Sequence, residues 1–214
     1  MHTYAHLHGF GSSRDSSKGI YLRDAFASRG IDLQLLDLNV PTFERQTYSD
    51  ILASLEAWDA SQARNGKLRI SGSSMGGYIA ARWAELHPDR IDRLYLLCPG
   101  FDLTSRLPEL VGEQRMARWE RERILEIEYP AGRKRLLHWK FVDDARLHPG
   151  FPEVACPTRV VHGTQDTVVP IELSRRYAST RPHVSLIEID DEHTLSESLD
   201  RVAAEALRFF EGID

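Results

Sequence analysis

Short apolar runs alternate along the chain with stretches in which apolar residues recur every three or four positions. That alternation predicts an α/β architecture with a mostly parallel sheet. Residues 3–7 read as the first strand and run into a loop of small residues, His8-Gly9-Phe10-Gly11-Ser12-Ser13. Residues 18–28 read as a helix closed by Gly30, and 33–38 as a second strand. Residues 50–63 carry Ile51, Leu52, Leu55 and Trp58 at helical spacing, with Asn65-Gly66 as the stop. A third strand is predicted over 67–71, a helix over 75–86, and a strongly apolar fourth strand over 91–97. Two more strands are predicted over 158–162 and 184–189. The last helix, over 195–210, sets Leu199, Val202, Ala203, Ala206, Phe209 and Phe210 on one side.

Residues 99–157 break this rhythm, and so long a stretch in a compact domain needs structure of its own. Helices are predicted near 110–128 and 133–141. The stretch holds Leu103, Leu107, Leu110, Met116, Trp119, Ile124, Ile127, Trp139 and Phe141, more apolar surface than a solvated loop needs. One reading makes it a lid over a substrate pocket, with Trp119 and Trp139 lining that pocket beside Gly11 of the first loop. The other makes these side chains the glue that fixes the insert to the sheet. Arg115, Arg118, Arg121 and Arg123 alternate with glutamates, a solvated helix face rather than a phosphate site.

The 214 residues fit one domain over 1–214, with 99–157 as an insert within it. A formal net charge of −5 gives no basis for a nucleic-acid partner. No segment has the length of a membrane span, and Met1-His2-Thr3 opens neither a basic nor an apolar leader, so a cytoplasmic location is expected. Cys98 and Cys156, each followed by proline, are expected as free thiols in that compartment.

The candidate chemistry begins at Gly72-Ser73-Ser74-Met75-Gly76. A G-x-S-x-G match arises by chance in a chain of this length about once in fifteen cases. Its position between a predicted strand and a predicted helix is what makes Ser74 a candidate nucleophile. Such a turn lifts the serine hydroxyl clear of the sheet, and glycines two residues either side leave room for it.

A serine needs a base, and the base needs a carboxylate to orient it. Asp166, in His162-Gly163-Thr164-Gln165-Asp166, and His193, in Asp190-Asp191-Glu192-His193, both fall just past predicted strands. Loops beyond strand ends are where α/β sheets build their sites. Asp102 and Asp37 are alternative acids. His6 and His8 share metal-ligand spacing, but there is no third ligand nearby, so neither a metal nor a cofactor is expected. His162 is expected to hydrogen-bond backbone beneath the site. Amides of Phe10, or Gly11, and of Met75 are candidates for holding a developing oxyanion.

These motifs and the late His193 resemble the α/β-hydrolase superfamily over nearly the whole chain, and most closely small bacterial esterases of the YqiA-like (UPF0227) group. The resemblance implies an α/β-hydrolase fold shortened to about six strands in local order 2-1-3-4-5-6 and flanked by helices. The insert 99–157 matches no family pattern; its own helices, apolar residues and position make it a helical lid in the first of the two readings. The resemblance also implies Ser74, Asp166 and His193 as the triad, and the Phe10 and Met75 amides as the oxyanion hole. The expected activity is cleavage of a small-molecule ester or thioester through an acyl-enzyme. Acyl transfer, amide or peptide hydrolysis and lyase chemistry are open on the same triad, as is a non-catalytic ligand-binding role.

Overall fold

The computed structural model describes residues 2–62, 66–129 and 133–212. The predicted helix end at Ala63 and its stop at Asn65 lie outside them. The elements run β1 (Thr3–Leu7), α1 (Ser17–Ala27), β2 (Leu33–Leu36), α2 (Tyr48–Ser61), β3 (Leu68–Ser73), α3 (Met75–Leu86) and β4 (Ile91–Leu97). They continue with α4 (Leu103–Val111), α5 (Glu113–Glu122), β5 (Ile124–Tyr129), β6 (Arg133–His138) and α6 (Lys140–Ala145). β7 (Thr158–Gly163), α7 (Ile171–Ser179), β8 (Val184–Ile189) and α8 (Leu199–Glu211) complete the order.

Six strands form one sheet in the order β2-β1-β3-β4-β7-β8, and every pairing is parallel. The chain has the α/β-hydrolase fold in the expected shortened form. β4 shows why the sheet is apolar on both faces. Its side chains alternate, so Leu94 and Leu96 enter one core with Ile79 and Trp83 of α3. Tyr95 and Leu97 enter a second core with Leu22 and Phe26 of α1 and Val202 and Phe210 of α8. Ser16 and Thr47 cap α1 and α2, each accepting the N–H three residues on.

Two boundaries differ from the sequence pattern. α8 starts at Leu199 rather than at 195, because Leu195 holds φ 51°, a left-handed value a helix does not admit. Within the insert, the helix expected near 110–128 breaks at Gly112 (φ 88°) and ends where Arg123 turns left-handed. From there β5 and β6 form an antiparallel hairpin, with Leu125 opposite Leu137. The cause is an alternation with period two: Leu125 and Ile127 turn inward while Glu126 and Glu128 stay exposed. The insert is therefore mixed, helices around a hairpin; of the second helix expected over 133–141 only Lys140 and Phe141 are helical, as the start of α6. Both cysteines are buried free thiols. Among the described residues no helix is long and apolar enough to cross a membrane.

Candidate active site

Ser74 sits between β3 and α3 with φ 53° and ψ −119°, a conformation that costs a non-glycine residue about 1–3 kcal/mol. Hydrogen bonds hold it there. Its N–H donates to the Leu97 carbonyl (2.8 Å), and its own carbonyl accepts from Gly100 (2.9 Å) and Tyr78 (3.1 Å). The flanking glycines are required by close approach: a Cβ on Gly72 would strike the Gly76 backbone, and one on Gly76 the Leu7 carbonyl. Met75 opens α3, and the first N–H groups of a helix have no acceptor within it. Gly9, just before Phe10, packs against Ser74; a Cβ there would lie 3.3 Å from the serine Cβ.

Beyond β7 and β8 the acid and the imidazole meet. His193 Nδ1 lies 2.7 Å from Asp166 Oδ2, and the carboxylate is fully buried. The other oxygen, Oδ1, accepts the amides of Val168 and Val169, both at 2.8 Å. Burial alone would raise the Asp166 carboxyl. Hydrogen bonds from His162, His193 and the Val169 amide outweigh it and hold the group well below the usual carboxylate range. The alternative acids lie elsewhere. Asp37 stands beside His8, and Asp102 accepts from Ser105 in a left-handed turn before α4. Ser74 and His193 line one cavity. Among the described residues no hydrogen bond joins Ser74 Oγ to His193, a contact that such sites commonly tighten on binding substrate.

Two contacts escape the sequence. His162 reaches the backbone at Val169 (2.9 Å), as expected, but the same Nε2 also lies 3.1 Å from Asp166 Oδ2. The four-residue spacing from His162 to Asp166 was the available signal. Lys18, read only as the start of a helix, donates to Ser73 Oγ at 3.1 Å beside the nucleophile. His6 and His8 take separate partners, Ser71 for the former and the Gly9 carbonyl and Leu38 amide for the latter. Among the described residues one group could offer a metal three close ligand atoms: Cys98, Asp166 and His193, within 4.8 Å.

Two cavities of about 230 Å³ each open on Ser74. The first is apolar and is walled largely by the insert, with Leu107, Trp119, Leu137 and Phe141 around Ser74 and Met75. Trp119 thus lines it, its indole N–H bonded to the Leu137 carbonyl (2.9 Å). Trp139 does not; it stands edge-on behind Trp119 at 5.3 Å between centroids. Gly11, at φ 69°, is outside the lining as well, whereas its neighbour Phe10 borders both cavities. The second cavity is more polar than the first and brings together His6, Lys18, Ser73, Ser74 and His193.

The family model described as "Uncharacterised protein family (UPF0227)" matches residues 3–211. No curated protein matches the chain significantly. Among solved structures it is similar to Est1E from Butyrivibrio proteoclasticus with ferulic acid bound, at TM-score 0.81 and 22% identity over 99% of this chain and 89% of that one. It is also similar to alpha/beta hydrolase domain-containing protein 10 from mouse, at TM-score 0.80 and 18% identity over 99% and 90%. A pyrethroid hydrolase, PytH, matches at TM-score 0.69 and 19% identity over 98% and 97%. At these identities the likeness is one of fold.

Proposed function

The chain belongs to the UPF0227 family, and from that premise we propose that it is a serine hydrolase that cleaves carboxylic esters or thioesters through Ser74, His193 and Asp166. The observation that carries this reading is the strained Ser74 at the head of an apolar cavity, with the bonded His193–Asp166 pair beside it. His193 takes the Ser74 proton as Oγ attacks the acyl carbonyl. Asp166 fixes the imidazole with Nδ1 protonated, leaving Nε2 as the base, and steadies the imidazolium that forms. The Met75 and Phe10 amides hold the oxyanion, a contribution of about 3–4 kcal/mol per donor in a dry site. His193 then protonates the leaving group. Water, activated by the same imidazole, releases the acid from Ser74.

The apolar cavity suits an aliphatic or aromatic acyl group, and ferulic acid in the Est1E structure is an aromatic acid. In this reading the insert 99–157 is the lid of that cavity, since α4, α5, the hairpin and α6 supply most of its wall. The test is turnover of 4-nitrophenyl esters of graded acyl length. The wild type is expected to hydrolyse them, and Ser74→Ala to lose at least about 1000-fold in kcat while melting within a few degrees of the wild type. Wild-type turnover by Ser74→Ala would refute the nucleophile.

A further inference from the structure

The second cavity shares Ser74 and His193 with the hydrolytic steps, which leave its other polar side chains without a role. It lies on the His193 side of Ser74, whereas the apolar cavity lies on the Met75 side. His193 must protonate whatever departs, so the departing alcohol or thiol belongs beside it, in the polar cavity.

Two groups there lack the partners their chemistry demands. His6 is 2% exposed, and its Nε2 is an unpartnered buried nitrogen at the cavity wall. Ser71 Oγ lies 2.8 Å from His6 Nδ1, which fixes the ring at that nitrogen and leaves Nε2 to a ligand. Burial, with Lys18 and His8 nearby, lowers the His6 pKa to about 3, so the ring is neutral. Lys18 is the second group. Among the described residues its one partner is the Ser73 hydroxyl, and it forms no ion pair. Burial pushes its ammonium below the usual value, against the attraction of Asp191 and Asp166. Ser16 and Ser17, in the opening turn of α1, complete this wall and add the positive end of a helix.

We propose that this second cavity is the leaving-group subsite and that it takes an anion: the preferred substrates are esters whose alcohol carries a carboxylate or a phosphate, held by Lys18 and His6. The inference rests on the hydrolase reading for its place in the reaction. The binding itself does not depend on turnover.

Binding is therefore read first without chemistry. 4-Hydroxybenzoate, phenyl phosphate and the neutral 4-hydroxybenzamide are titrated calorimetrically into the Ser74→Ala protein. At least one anion is expected to bind more tightly than the amide, and the tighter of the two separates carboxylate from phosphate. Adding Lys18→Met should weaken that anion about tenfold or more, and Lys18→Arg should restore most of it. Equal binding of the amide, or indifference to Lys18→Met, overturns the subsite. Turnover is read second, on butanoyl esters of 4-hydroxybenzoate and of its methyl ester. Lys18→Met should lower the ratio of kcat/KM, anionic over neutral, by about tenfold. An equal loss on both esters overturns the proposal and makes Lys18 a support for Ser73. Anion binding that depends on Lys18 in a wild type that hydrolyses neither ester would sustain the subsite and refute the hydrolase.

Discussion

His162 Nε2 stands 3.1 Å from Asp166 Oδ2, the same oxygen that lies 2.7 Å from His193 Nδ1. With two backbone amides on Oδ1, the carboxylate is held at both oxygens. His162 is itself fixed, since its Nδ1 lies 2.7 Å from Ser174 Oγ on α7. A buried chain thus runs from Ser174 through His162 and Asp166 to His193, and each link orients the next.

The chain makes His162 a positioning residue. His162→Ala should lower kcat by about 10–100-fold, the range for groups that orient a reacting residue through one intermediate, with a much smaller effect on KM. His162→Gln, which keeps a donor, should recover part of the loss. Steady-state kinetics on one activated ester check this. A loss confined to thermal stability would reduce His162 to a packing role.

Asp166→Asn presents an amide where His193 needs an acceptor, so the imidazole loses its working tautomer. The expected fall in kcat is about 10⁴-fold, with the fold retained. An Asp166→Asn enzyme as active as the wild type would turn attention to Asp102 or Asp37, neither of which meets His193 here.

The insert gives a contrast between two tryptophans. Trp119 lines the apolar cavity, so Trp119→Ala should shift the preferred acyl length upward. Trp139 stands behind it, with the guanidinium groups of Arg123 and Arg146 both over its ring. Trp139→Ala should cost about 3–5 kcal/mol of stability and leave the ratio of short-chain to long-chain activity alone. If both variants lose only stability, the lid reading fails.

Sequence patterning carried further in the sheet than in the insert, for a physical reason. β4 is apolar without a break from Leu94 to Leu97 because helices cover both faces, and α3 begins at Met75, directly after the Ser74 turn. Asp166 and His193 stood out because strand ends converge on one edge of a parallel sheet. Residues 124–138 were harder. Ile124, Leu125 and Ile127 suit either a helix or a strand, and pairing between β5 and β6 decides for the hairpin. The roles of Lys18 and His6 depend on contacts across the fold, with Ser73 and Ser71, which no local pattern encodes.

Acid should expose the buried His6. Its folded pKa of about 3 lies below the value near 6.5 of an unfolded chain, so the unfolded state binds the extra proton between those two pH values. Stability is therefore complete above about pH 6.5 and falls with pH through that window, by about 2 kcal/mol between pH 6.5 and 5. Urea unfolding at several pH values measures the slope, and His6→Gln should flatten it. Asp166 does not confuse the comparison. Its depressed pKa stabilises the fold above about pH 4, and that contribution is lost only below it.

The central claim is a covalent acyl intermediate on Ser74, and intact-protein mass spectrometry tests it most directly. The protein is mixed with a slowly hydrolysed activated ester and quenched in acid within the first turnovers. The account predicts a species heavier by one acyl group, mapped to the peptide containing Ser74, that accumulates when Asp166→Asn slows its hydrolysis and is absent from Ser74→Ala. Ester turnover with no acylated species in either protein, or an acyl group mapped to another residue and kept by Ser74→Ala, would contradict it.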